Sequence, residues 1–166
     1  QILIPSSVIS IGNNAFSGCS SLTQISIPSS ITHFGCNIFT GIKTLEITGD
    51  LKLLPDKLFS GCSSLKQITI PSSVTSIGNN VFSGCSSLTQ ILFPSSVISI
   101  GNHIFDGCTS LTQISIPSSI TKIGDYYFSK CSSLAQITIS SSVTEIGDYA
   151  FDGCSLLKQI LIPSSV

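Results

Sequence analysis

Apolar and polar positions along the chain follow one recurring phrase. Leu22-Thr23-Gln24-Ile25-Ser26-Ile27 places apolar residues at its first, fourth and sixth positions. Ile25, Ser26 and Ile27 alternate in the manner of a half-buried strand. Pro28 has no N–H to give to a ladder and ends that strand. Ser29-Ser30 forms a polar corner, after which Ile31 and Phe34 point inward and Gly35 closes a tight turn; Val8, Ile11 and Gly12 hold the same places one phrase earlier. Asn13-Asn14-Ala15-Phe16-Ser17-Gly18-Cys19 comes next. Asn favours turns, and Ala-Phe is too short an apolar run for a full helix. The segment predicts one turn of 3₁₀ helix with Phe16 inside, ended by Gly18 at positive φ. A Cys-Ser-Ser corner then leads to the next strand.

The Phe marks fall at Phe16, Phe39, Phe59, Phe82, Phe105, Phe128 and Phe151, spaced 23 residues apart except for a single step of 20 between Phe39 and Phe59. A fixed period of this length is the signature of a solenoid. Successive strands should pair as a parallel sheet without helical crossovers, and Val-x-x-Ile-Gly should add a second short ladder. Aligning Leu45 with Ile25 puts the missing residues between Gly41 and Ile42, in a shortened repeat around residues 40–48, with Pro55 in a Gly place. A local kink or change of twist is expected there, from a tolerated corner deletion or a hinge. Both ends read QILIPSSV. Residues 1–166 are therefore expected to form one array of about seven turns, an uncapped piece of a longer one.

The pattern Cys-x-x-Leu-x-x-Ile-x-Ile-Pro-x-x-Val-x-x-Ile-Gly-x-x-Ala-Phe resembles the BspA-like leucine-rich repeats, also called the Treponema pallidum type. Cys62, Leu65, Ile68, Ile70, Pro71, Val74, Ile77, Gly78 and Phe82 carry the resemblance, which extends over essentially the whole chain. It implies a strand-dominated α/β solenoid: a right-handed coil with a parallel β-sheet on the concave face and short 3₁₀ or turn segments on the convex side. It also implies a cell-surface or secreted protein that adheres to host matrix proteins or to other cells.

Charge is sparse: 9% of residues, against roughly 25% in ordinary soluble proteins. Seven Lys and no Arg leave the chain without the usual fork for phosphate, which argues against a nucleic-acid partner. No run of 18 apolar residues is present, so no segment is expected to insert in a membrane.

Six of the seven Cys stand in register (Cys19, Cys62, Cys85, Cys108, Cys131 and Cys154), and Cys36 takes an Asn place in the outer turn. Neighbouring thiols lie within disulfide reach, yet parallel side chains fit a row of buried free thiols better. A one-per-turn row does not converge into the tetrahedron that zinc requires. His33 and His103 fall on different turns at outer positions. No carboxylate pair, phosphate loop or nucleophile elbow is present, so the chain does not read as an enzyme and no cofactor is expected.

The outward strand positions are the remaining candidates. They are Thr23, Gln24 and Ser26; Lys43, Thr44 and Glu46; Lys66, Gln67 and Thr69; Thr89, Gln90 and Leu92; Thr112, Gln113 and Ser115; Ala135, Gln136 and Thr138; and Lys158, Gln159 and Leu161. Gln recurs in six of these seven turns. In register, Gln can form amide ladders that stabilise the stack, or it can offer a polar strip to a protein or glycan ligand. The strip lacks the Trp, Tyr and Arg of tailored interfaces. Repetition suits a repetitive ligand or end-to-end self-association. Tyr126, Tyr127 and Tyr149, on the outer turns, are either local contact residues or turn packing.

Overall fold

The computed structural model describes residues 1–166 and has short strands and no helix. Most turns give two strands: β1 (Ile2–Leu3) and β2 (Ser10–Ile11), β3 (Gln24–Ser26) and β4 (His33–Phe34), β5 (Thr44–Thr48) and β6 (Leu53–Leu54), β7 (Gln67–Thr69) and β8 (Ser76–Ile77), β9 (Ser99–Ile100) by itself, β10 (Gln113–Ser115) and β11 (Lys122–Ile123), and β12 (Gln136–Thr138) and β13 (Glu145–Ile146). All pairing is parallel and runs from one turn to the next. The strand face carries a four-stranded sheet, β1-β3-β5-β7, and a separate pair, β10-β12. The expected second ladder exists in three pieces: β2-β4, β6-β8-β9 and β11-β13.

The interior is a column of repeated side chains. Ile25, Ile27, Leu54, Val74, Phe82, Leu88, Phe105 and Leu111 are fully or almost fully buried. The seven marked Phe rings stack in sequence at centroid distances of 5.1 to 5.8 Å. Such distances are those of offset stacks, the arrangement that π quadrupoles favour. The thiols of Cys85, Cys108 and Cys131 sit beside this column and donate to the carbonyls of Phe59, Phe82 and Phe105 at 3.1 to 3.2 Å. Each bond ties one turn to the turn before it.

The outer segments are turns and contain no 3₁₀ helix. The second residue of each Asn-Asn place has left-handed φ: Asn14 at 56°, Asn37 at 55°, Lys57 at 61°, Asn80 at 56°, His103 at 55°, Tyr126 at 51° and Tyr149 at 55°. A left-handed residue there stops helical dihedrals before they can continue. The backbone bonds instead to the next turn, as in Phe16 N–H to the Ile38 carbonyl at 3.0 Å and Gly18 N–H to that of Thr40 at 2.7 Å. Gly18 itself has φ of 76°, the positive value expected of it.

The 20-residue step is absorbed gradually. Phe16 stacks on Phe39 in the ordinary 23-residue register. On the strand, Ile25 faces Ile47, 22 residues on; the expected partner was Leu45. At the following corner Ser29 binds the Asp50 carboxylate, 21 residues on, and Phe39 stacks on Phe59, 20 residues on. The two-residue slip from Leu45 to Ile47 keeps parity, so apolar residues still face the core. The cost appears in the second ladder, where β4 and β6 do not pair with each other. Elsewhere the Gly of this place donates across the ladder, for example Gly35 to the Ile11 carbonyl and Gly78 to that of Leu54, both at 2.8 Å. Pro55 occupies the place in this turn and has no N–H to donate.

Candidate interaction face

The outward strand residues lie in rows along the strand face. Of the 21 candidate positions, only Gln24 and Ser26 are half-buried; the rest are exposed. Their neighbours Ile25, Leu45, Ile68 and Ile114 are buried beneath them, as a period-2 pleat requires. One amide is paired: Gln24 Nε2 donates to Glu46 Oε2 at 2.8 Å. Gln67, Gln90, Gln113, Gln136 and Gln159 make no side-chain hydrogen bonds to one another, so the amide ladder does not form. Charge on the strip is confined to Lys43, Glu46, Lys66 and Lys158.

The face is interrupted in its middle. Residues 90–93 join β7 only through a single bridge, Thr69 to Leu92, and no strand forms there. The N–H groups of Ile4, Ile27 and Ile116 each bond to the next turn at 3.0 to 3.3 Å, whereas those of Ile70 and Phe93 do not. Phe93 sits in this gap; the last turn, which also forms no strand, has Ile162 in the same place. Phe93 stands where other turns carry Ile27, Ile70 and Ile116, and its larger ring packs 6.0 Å from Phe105. Overfilling a close-packed slot can displace the backbone. Two clefts flank the gap. One, of about 420 Å³, lies between β7 and residues 90–94. The other, of about 270 Å³, lies between residues 90–92 and β10-β12. Leu92 projects between them, 81% exposed. Residues 158–162, in the last turn, likewise form no strand.

This stack of turns can be set against known proteins. The family model for the BspA type leucine rich repeat region matches residues 1–96 and 52–166, in six copies. The chain belongs to the BspA-type leucine-rich repeat family. A leucine-rich repeat protein of T. pallidum is 30% identical, with a TM-score of 0.75 over 96% of this chain and 78% of that one. A leucine-rich repeat protein of Eubacterium ventriosum is 25% identical, with a TM-score of 0.55 over 99% of this chain and 61% of that one. The pneumococcal vaccine antigen PcpA shares the fold at 20% identity, with a TM-score of 0.50 over 99% of this chain and 61% of its own. No functionally curated protein matches the chain.

In this BspA-type array the other singled-out residues serve the stack. Asn13, Asp56, Asn79, Asn102 and Asp125 each accept, through Oδ1, the N–H at the same place one turn on, at 2.8 to 3.2 Å. Cys36 receives this contact from Asn13 but offers no side-chain oxygen to continue it, and the ladder restarts at Asp56. Burial pushes the Cys62 thiol up to about 12 and that of Cys154 up to about 11, and drives Cys85, Cys108 and Cys131 higher still. All seven cysteines are free; Cys19 and Cys36 are exposed. His33 lies on β4, with Nδ1 2.8 Å from the Thr32 hydroxyl oxygen. His103 stacks on Tyr126 at 4.7 Å, and Tyr126 on Tyr149 at 4.9 Å. Tyr127 is no contact residue. It is fully buried, edge-on to Phe128, with its hydroxyl unpaired.

Sequence reasoning missed two features. The second Ser of each Pro-Ser-Ser corner is more than a polar bend: Ser30, Ser73, Ser96 and Ser142 donate to the carbonyls of Val8, Leu51, Val74 and Ile120 of the preceding turn at 2.7 to 2.9 Å. Its signal is the restriction of that place to Ser in seven turns. The parted sheet at Leu92 was also missed; the one departure visible there in the chain is Phe93 in an Ile place.

Proposed function

We propose that the chain is a non-catalytic interaction module whose strand face adheres to protein or glycan surfaces outside the cell. The observation that carries this reading is the sparsely charged outward strip, whose Gln67, Gln90, Gln113 and Gln136 amides are left free by the fold. A stacking role would pair those amides; an open ligand face leaves them for a partner. Membership of the BspA-type family supports an interaction scaffold. The repeated, weakly featured face favours many shallow contacts, in which avidity replaces a single deep pocket. Extracellular placement rests on the family resemblance. No helix of the chain is long and apolar enough to cross a membrane.

Surface plasmon resonance of the chain over immobilised matrix proteins and epithelial-surface glycans tests the reading. Saturable binding that Gln90→Glu and Gln113→Glu weaken together supports it. Absence of saturable binding across the panel contradicts it.

A further inference from the structure

Between β7 and β12 the strand face presents the same group four times in succession: Gln67, Gln90, Gln113 and Gln136. All four are exposed. Paired strands lie about 4.8 Å apart, as those of Gln113 and Gln136 do, which is roughly the length of one extended pyranose residue; the other two steps of the run are held by Thr89 N–H to the Lys66 carbonyl and Thr112 N–H to that of Thr89, at 3.3 to 3.4 Å. We propose that this run is a subsite for a neutral, linear oligosaccharide lying along the stacking axis, one sugar ring per turn. The proposal rests on the strand-face reading above and narrows its ligand to one class.

A primary amide carries two donors and an acceptor, which lets each Gln engage adjacent hydroxyls of a sugar as donor and acceptor together. The parted ladder adds what a flat sheet lacks. The clefts beside Leu92, of about 420 and 270 Å³, approach or enter the range of roughly 300–1,000 Å³ in which small ligands bind. Leu92, 81% exposed, and half-buried Phe93 line the larger cleft and offer aliphatic and ring carbon to the C–H face of a pyranose. The N–H of Phe93, which makes no bond to the next turn, remains as a donor for ring or hydroxyl oxygens. Across these four turns Lys66 is the single charged strip residue. A sulfated or carboxylated chain would lose hydration with little compensating charge. A protein partner would find no Trp, Tyr or Arg to anchor on.

Isothermal titration of the chain with β-1,4-linked cello- and manno-oligosaccharides of two to six units tests the proposal, with sulfated cellohexaose as the acidic counterpart. Affinity should rise with each unit up to about four and then level off, with the sulfated chain binding more weakly. Gln90→Ala and Gln113→Ala should each weaken the neutral ligand at least fivefold without moving the thermal midpoint. Four results would overturn the proposal: no saturable neutral binding, no length dependence, preference for the sulfated chain, or indifference to the Gln variants. If sugars fail while matrix proteins still bind through the strip, the glycan assignment falls and the strand-face reading stands. If both fail, both are wrong.

Discussion

Phe39 stacks on Phe59 at 5.1 Å although only 20 residues separate them, while every other neighbouring pair in the column is 23 apart. The core column therefore keeps its spacing, and the backbone around it gives way. The offset between facing residues falls from 23 (Phe16 to Phe39) to 22 (Ile25 to Ile47) and then 20 (Phe39 to Phe59) within about one turn, and the second ladder opens between β4 and β6.

Gly49 permits this adjustment. Its φ is 100°, and a Cβ there would stand 2.5 Å from the Ile27 carbonyl oxygen. Gly49→Ala should destabilise the chain by about 1–3 kcal/mol, measured by urea unfolding. The same substitution at Gly61, whose Cβ would meet open space, carries only the positive-φ penalty and should cost less.

Phe93→Ile should close the strand face. The smaller side chain matches Ile70 and Ile116 in the same place and lets residues 90–93 rejoin β7 and β10. Hydrogen exchange at the Ile70 and residue-93 amides should slow at least tenfold, and stability should rise by about 1 kcal/mol as overpacking is relieved. Unchanged exchange would mean that something other than the ring holds the sheet apart.

Much of this was legible in the chain. The 23-residue period located the strands, the inward Phe column and the outward strip, because a short repeat that buries the same face each time leaves few geometric choices. The register of the short turn was not legible. Leu45 and Ile47 are equally suited to face Ile25, and parity cannot separate them; the choice depends on how two corners share a deficit. Nor was the outer turn, since Asn-Asn fits both a 3₁₀ start and a left-handed turn, and only turn-to-turn bonding decides. Tyr127 misled because its neighbours Tyr126 and Tyr149 are outer residues, while it occupies the Val81 and Ile104 place inside the core.

That hydroxyl gives a stability test. Tyr127 is fully buried against Phe105 and Phe128 with no partner for its oxygen. Leaving such a group unpaired costs about 1–3 kcal/mol. Tyr127→Phe should therefore raise stability by about that amount in calorimetry or urea unfolding, and a loss would indicate that the hydroxyl is satisfied in solution.

The thiols should divide by depth. At pH 8, Cys62 at about 12 and Cys154 at about 11 are almost wholly protonated, and Cys85, Cys108 and Cys131 are buried as well as shifted upward. Only the thiolate attacks a disulfide reagent. A thiol-exchange assay on the native chain should show Cys19 and Cys36 reacting quickly and the buried four only on unfolding. Fast labelling of Cys85 or Cys108 would contradict the packed column.

The strand face is the centre of this account, and one comparison tests it most directly. The triple variant Gln90→Glu, Leu92→Glu and Gln113→Glu is set against Lys57→Ala with Asp152→Ala on the outer turns, in surface plasmon resonance over the same matrix-protein and glycan panel. The account predicts at least tenfold weaker binding for the strand-face variant and unchanged binding for the outer-turn variant, with both folded. Equal binding by the two, or loss confined to the outer-turn variant, would contradict it.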